Sequence, residues 1–211
     1  MSGLLSLLNS PMGKQMISGV AGQTGQSEDK TASVLNMAMP LLLGAMKKNA
    51  SSPEGAAGLM SALAGKHSGG GVLNNLEGLF NGGVDDDVVK EGDGILNHVL
   101  GSKQPQVESA LSQKSGLDAG AVSQILKIAA PILMGFIGQQ TAQSNVSDSN
   151  GISSLLGSML GGQPTENQSL ITSLLDADGD GSVLDDVAGM VLGGDKKQGG
   201  IGGMLGGLFG K

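Results

Sequence analysis

The sequence predicts an all-α protein: an internally duplicated helical bundle with Pro-kinked buried helices and a Gly-rich C-terminal tail. Three observations carry that prediction. The chain matches itself at a constant offset of 91 residues, its apolar residues recur at helical spacing, and clusters of Gly, Ser and Asn divide it into short amphipathic stretches.

At that offset Ser18 falls on Ser109, Gly25 on Gly116, Leu35 on Leu126, Ala38 on Ala129, Pro40 on Pro131, Leu42 on Leu133 and Gly44 on Gly135. The predicted organisation is a first helical repeat over residues 1–91, a second over 92–194, and a Gly/Met-rich tail over 195–211.

The first amphipathic stretch covers residues 4–8. The strongest follows at 34–46, VLNMAMPLLLGAM, and returns at 125–137 as ILKIAAPILMGFI. Both are apolar at i, i+1, i+4, i+7, i+8, i+11 and i+12, with extra apolar positions that widen the stripe until each helix reads as largely buried. Each holds an internal proline, which removes a backbone donor and clashes with the preceding turn, so a kink or break is expected at Pro40 and Pro131. Asp118 stands where a helix N-cap would, with Leu117 and Val122 at the spacing of a hydrophobic staple, and Ser27 can cap the first copy. Shorter helical stretches are expected at 56–63, 72–80, 95–100, 152–160 and 170–175. Flexible linkers are expected at 67–71 and 139–150.

Residues 176–187 read DADGDGSVLDDV, and the first half has the D-x-D-x-D-G start of a calcium-binding loop. Carboxylates at alternate positions let a short backbone curl around one hard cation, which takes six to eight oxygen ligands. Asp176, Asp178 and Asp180 would supply monodentate oxygens, Gly181 the sharp turn, and Ser182 a backbone carbonyl. The twelfth position, normally a bidentate Glu, is Val187, so the closing ligand is assigned to Asp185 or Asp186, with Asp186 preferred. Clustered carboxylates favour Ca2+ over Mg2+, which tends to keep its waters. The alternative is a solvated, turn-prone acidic loop. The offset places Asp85 and Asp87 on Asp176 and Asp178, but Val89 on Asp180, which reads as a lost site.

Composition narrows the function. All twelve basic residues are Lys, the net charge is −7, and there is no Trp or Tyr, so nucleic-acid binding is not expected. Cysteine is absent, which removes disulfides, thiolate catalysis and Cys-based zinc sites. No Ser sits in a nucleophile elbow, and the Gly-rich runs lack the Lys-Ser/Thr ending of a phosphate loop. His98 reads as a helix residue and not a base. The stretch 109–126 superficially resembles a helix-turn-helix, but its second helix runs into core-type sequence. The N-terminus lacks a signal peptide's basic region, and no segment is expected to reach transmembrane length. The tail places Ile201, Met204, Leu205, Leu208 and Phe209 at i, i+3, i+4, i+7 and i+8. That pattern suits a protein partner or self-association better than a membrane surface, where a basic polar face would be needed.

Three segments together resemble a bacterial domain family of unknown function to which the shorter YidB-like proteins are distantly similar. They are EGDGILNHVLG at 91–101, SGLDAGAVSQILKIAAPILMGFIGQQ at 115–140, and LLDADGDGSVLDDVAGMVLGG at 174–194. The resemblance covers roughly residues 1–194 and implies a small helical domain, often cytoplasmic, with no established enzymatic activity. It assigns no role to the tail. The expected function is therefore a non-enzymatic, cytoplasmic, calcium-binding helical protein with a structural or interaction role. The alternatives are self-assembly or membrane-surface association through the terminal segments and, third, metal-assisted hydrolysis.

Overall fold

The computed structural model describes residues 3–65, 67–161 and 171. Among them the chain is helical and holds no strand: α1 (Gly3–Asn9), α2 (Pro11–Thr24), α3 (Glu28–Asn49), α4 (Pro53–Ala64), the 3-10 segment η1 (Ser68–Asn75), α5 (Leu76–Phe80), α6 (Asp86–Leu100), the 3-10 turn η2 (Gly101–Lys103), α7 (Gln104–Ser115), α8 (Ala119–Gln143) and α9 (Ser149–Leu160).

Local chemistry explains where the helices start and stop. Ser10 accepts from the Gly13 N–H at 3.1 Å, with Pro11 in the first turn, where its missing donor costs nothing. Ser27 accepts from the Lys30 N–H at 3.4 Å and Asp118 from the Ala121 N–H at 2.9 Å. α2 and α7 both end on a left-handed glycine, Gly25 at φ 64° and Gly116 at φ 68°, where any other L residue would be strained. Caps and glycines thus build two helix–glycine–helix corners, α2–α3 and α7–α8, whose matching positions lie 91 residues apart. The helix-turn-helix look-alike at 109–126 is the second corner, and its following helix is core.

α3 and α8 form the centre and pack on each other. α2 packs on both of them, and so does α7. α4 and α9 also touch both central helices and each other. Val34, Leu35 and Ala38 of α3 and Ile125, Leu126 and Ala129 of α8 have no exposure. The Val, Leu and Ile side chains among these each stabilise the fold by about 1.5–3 kcal/mol relative to an exposed position.

One expectation is narrowed and two are corrected. First, of the kink or break expected at Pro40 and Pro131, the break does not occur: α3 and α8 run through both positions. An interior proline costs about 3 kcal/mol, but both prolines and most of their neighbours are buried, and that burial outweighs one lost hydrogen bond. Second, the linkers shrink. Residues 67–71 lead into and form η1, while α8 extends to Gln143 and α9 begins at Ser149, capped by Asp148, which accepts from Gly151 at 2.7 Å. Third, α8 is, by length and composition, long and apolar enough to cross a membrane, although 78% of its most apolar window is buried in the protein. Burial by flanking helices explains why so apolar a segment serves as a core helix here.

Three polar residues are buried among the described residues, Thr31, His67 and Thr141. The Thr31 hydroxyl is fully buried and has no hydrogen-bond partner, whereas Val122 occupies the matching place 91 residues on. Thr31→Val keeps the shape and removes an unsatisfied group, so it is expected to raise the unfolding free energy by about 1 kcal/mol. Equilibrium urea unfolding checks this. A variant less stable than the parent would mean that the hydroxyl is satisfied.

Candidate functional site

The residues predicted to hold a metal, Asp176, Asp178, Asp180, Ser182, Asp185 and Asp186, lie outside the described residues. Ile171, the described residue nearest to them, is buried at 7% exposure.

Their first-half counterparts are described. Asp85 occupies the N-cap position of α6 without a side-chain capping bond, and Asp86 and Asp87 fill its first turn. Carboxylates there oppose the positive end of the helix dipole. Gly82 and Gly83, at φ 94° and 103°, turn the chain into this start, and the Gln23 side chain ties it to α2 by accepting from the Val84 N–H at 3.1 Å. Asp85, Asp86 and Asp87 are exposed, and Asp87 pairs with Lys90 one turn on at 3.5 Å. Among the described residues no group of three His, Asp or Glu side chains is arranged to hold a metal ion. The first-half acidic segment opens a helix.

A polar arrangement lies further along α6, where three consecutive residues meet two partners, His67 and Lys127. Glu91 Oε1 accepts from His67 Nε2–H at 3.0 Å, joining α6 to the residue that precedes η1. Gly92 lies directly against the backbone carbonyl of Lys127 on α8. Asp93 pairs with the Lys127 ammonium at 2.9 Å. Successive helix positions diverge by about 100°, which is how one short run of chain reaches two neighbours.

The Lys127 carbonyl is special because its helical acceptor role has no donor: residue 131 is proline. Gly92 supplies a backbone without a side chain at that oxygen, and a Cβ there would overlap it. His67 is 5% exposed, and its pair with Glu91 is the better shielded of the two. The Asp93–Lys127 pair is 45% and 29% exposed, and pairs so placed contribute up to about 1 kcal/mol.

Sequence reasoning missed His67, which it placed in a linker, and gave Glu91 and Asp93 no role beyond the resemblance. The available signal was the E-G-D triplet itself, a helical glycine flanked by charges. His98 is a helix residue of α6, as expected; its side chain is exposed, and its backbone carbonyl accepts from the Asn49 side chain at 3.2 Å.

Among the described residues these features define an all-α protein in which polar groups tie helices together. The chain belongs to the family described as bacterial protein of unknown function (DUF937), whose family model matches residues 6–140 and again residues 141–211. No curated protein and no solved structure matches it.

Proposed function

We propose that this is a non-enzymatic, cytoplasmic helical protein that binds Ca2+ at residues 176–187 and acts in a structural or interaction role. The observation that carries the reading is the alternation Asp176, Asp178, Asp180 followed by Gly181, the donor spacing that an oxygen-seeking cation requires. Ser182, Asp185 and Asp186 complete the oxygen set. The constant offset of caps and corners supports a duplicated ancestry, with the first acidic segment retained as a helix start. The 91–101, 115–140 and 174–194 segments further support a distant YidB-like relationship.

Isothermal titration of the full chain with CaCl2 tests the reading. Binding heat is expected for the parent, with at least about a tenfold loss of affinity in Asp178→Ala and Asp180→Ala, each of which removes a charged ligand. A parent protein that gives no heat by titration and no calcium-dependent rise in melting temperature would end the proposal.

A second reading is self-association through the tail. Met12 is the one large hydrophobic side chain exposed among the described residues, so an apolar contact falls more naturally to Ile201, Met204, Leu205, Leu208 and Phe209. Deleting residues 193–211 is expected to shift any oligomer to monomer in light scattering coupled to size exclusion. An unchanged mass would refute the idea.

A further inference from the structure

The sequence contains two Asn-Gly steps, Asn81–Gly82 and Asn150–Gly151. In such a step the glycine amide nitrogen can attack the asparagine side chain, because no Cβ stands beside the attacking atom and the backbone turns freely. The fold treats the two steps in opposite ways.

Asn81 follows the last residue of α5, and its own N–H donates to the Glu77 carbonyl at 3.0 Å. Asn81, Gly82 and Gly83 are exposed, and a Cβ built on Gly82 would meet nothing within 4 Å. No hydrogen bond among the described residues holds the Gly82 N–H. Only the ends of this loop are tied: the Gln23 side chain donates to the Phe80 carbonyl at 3.5 Å and accepts from the Val84 N–H at 3.1 Å. The second step is held at its reacting atom. Asn150 and Gly151 lie in the first turn of α9, and the Gly151 N–H donates to the Asp148 carboxylate at 2.7 Å. Attack by that nitrogen requires a charge-assisted hydrogen bond to break and a helical residue to rotate.

We propose that Asn81 is a site of spontaneous deamidation, a modification that the fold permits at Asn81 and suppresses at Asn150. The Gly82 nitrogen gives up its proton and bonds to Asn81 Cγ, the Cγ–Nδ2 bond breaks, and ammonia leaves a succinimide ring. Water then opens the ring at either carbonyl to give aspartate or isoaspartate, with no oxidant or reductant involved. Either product adds a carboxylate just ahead of Asp85, Asp86 and Asp87 at the start of α6. Isoaspartate also lengthens the main chain by one carbon within the span that Gln23 bridges.

The full chain, incubated folded and in concentrated urea and then mapped by peptide mass spectrometry, tests this. In the folded protein Asn81 should deamidate at least about tenfold faster than Asn150, the rate equivalent of one charge-assisted hydrogen bond. In urea the two rates should converge, because both steps are then unprotected. Since the attacking nitrogen must lose its proton, the Asn81 rate should also rise with pH. The proposal is overturned if folded Asn150 deamidates as fast as Asn81, or if the difference persists undiminished in urea. A rate at Asn81 that does not rise with pH would overturn it as well. All three readings come from the parent chain and depend on no variant.

Discussion

Replacing Gly92 by alanine is expected to lower the unfolding free energy by about 3 kcal/mol, at the upper end of what overpacking costs. The added methyl would occupy the position of the Lys127 carbonyl, with backbone on both sides and no flexible side chain to swing away. α6 and α8 would have to separate, loosening both the Glu91–His67 and the Asp93–Lys127 contacts. The same helix provides the control. A Cβ at Gly94 meets nothing within 4 Å, so Gly94→Ala should stabilise the protein by about 0.5–1 kcal/mol through helix propensity alone. Opposite signs two residues apart, measured by denaturant unfolding, would separate close approach from propensity. A Gly92→Ala protein as stable as Gly94→Ala would refute the packing account.

The second large effect is expected at the centre of the bundle. Leu35 and Leu126 occupy matching positions on α3 and α8, and neither has any exposure. Truncating either to alanine removes buried methyl groups and leaves a cavity that neighbours can only partly refill, so each should cost about 2–5 kcal/mol. Many small domains have a total stability of only about 5–15 kcal/mol, so the double variant is expected to be largely unfolded at 37 °C. Circular dichroism during thermal unfolding checks this. A loss below about 1 kcal/mol at either position would mean that the α3–α8 contact is not the core.

Several elements were legible because their causes act within a few residues. Asp118 caps α8 as its position before an apolar run implied, and Ser27 does the same for α3. Gly25 and Gly116 end their helices because only glycine takes the left-handed conformation without strain. The apolar stripes at 34–46 and 125–137 identified the two buried helices. At Pro40 and Pro131 the local penalty of proline was readable, whereas the burial that lets each helix continue was not.

The glycine-rich stretch at 67–71 misled for a related reason. Polar and glycine residues suggest a linker, but whether such a chain stays in solvent depends on the surface it meets. Here that surface is Gly135 and Gly138, whose missing side chains leave room for the carbonyls of Gly70 and His67.

From the sequence alone came the helical class, the two central apolar helices with the caps at Ser27 and Asp118, the 91-residue recurrence and the aspartate alternation at 176–187, because periodicity, capping and residue spacing are properties of neighbouring residues. Tertiary structure alone decided that α8 is a core helix, that Gly92 meets the carbonyl left bare by Pro131, and that His67 reaches Glu91. Each of those depends on which distant backbone lies across from a residue, and no local pattern encodes that.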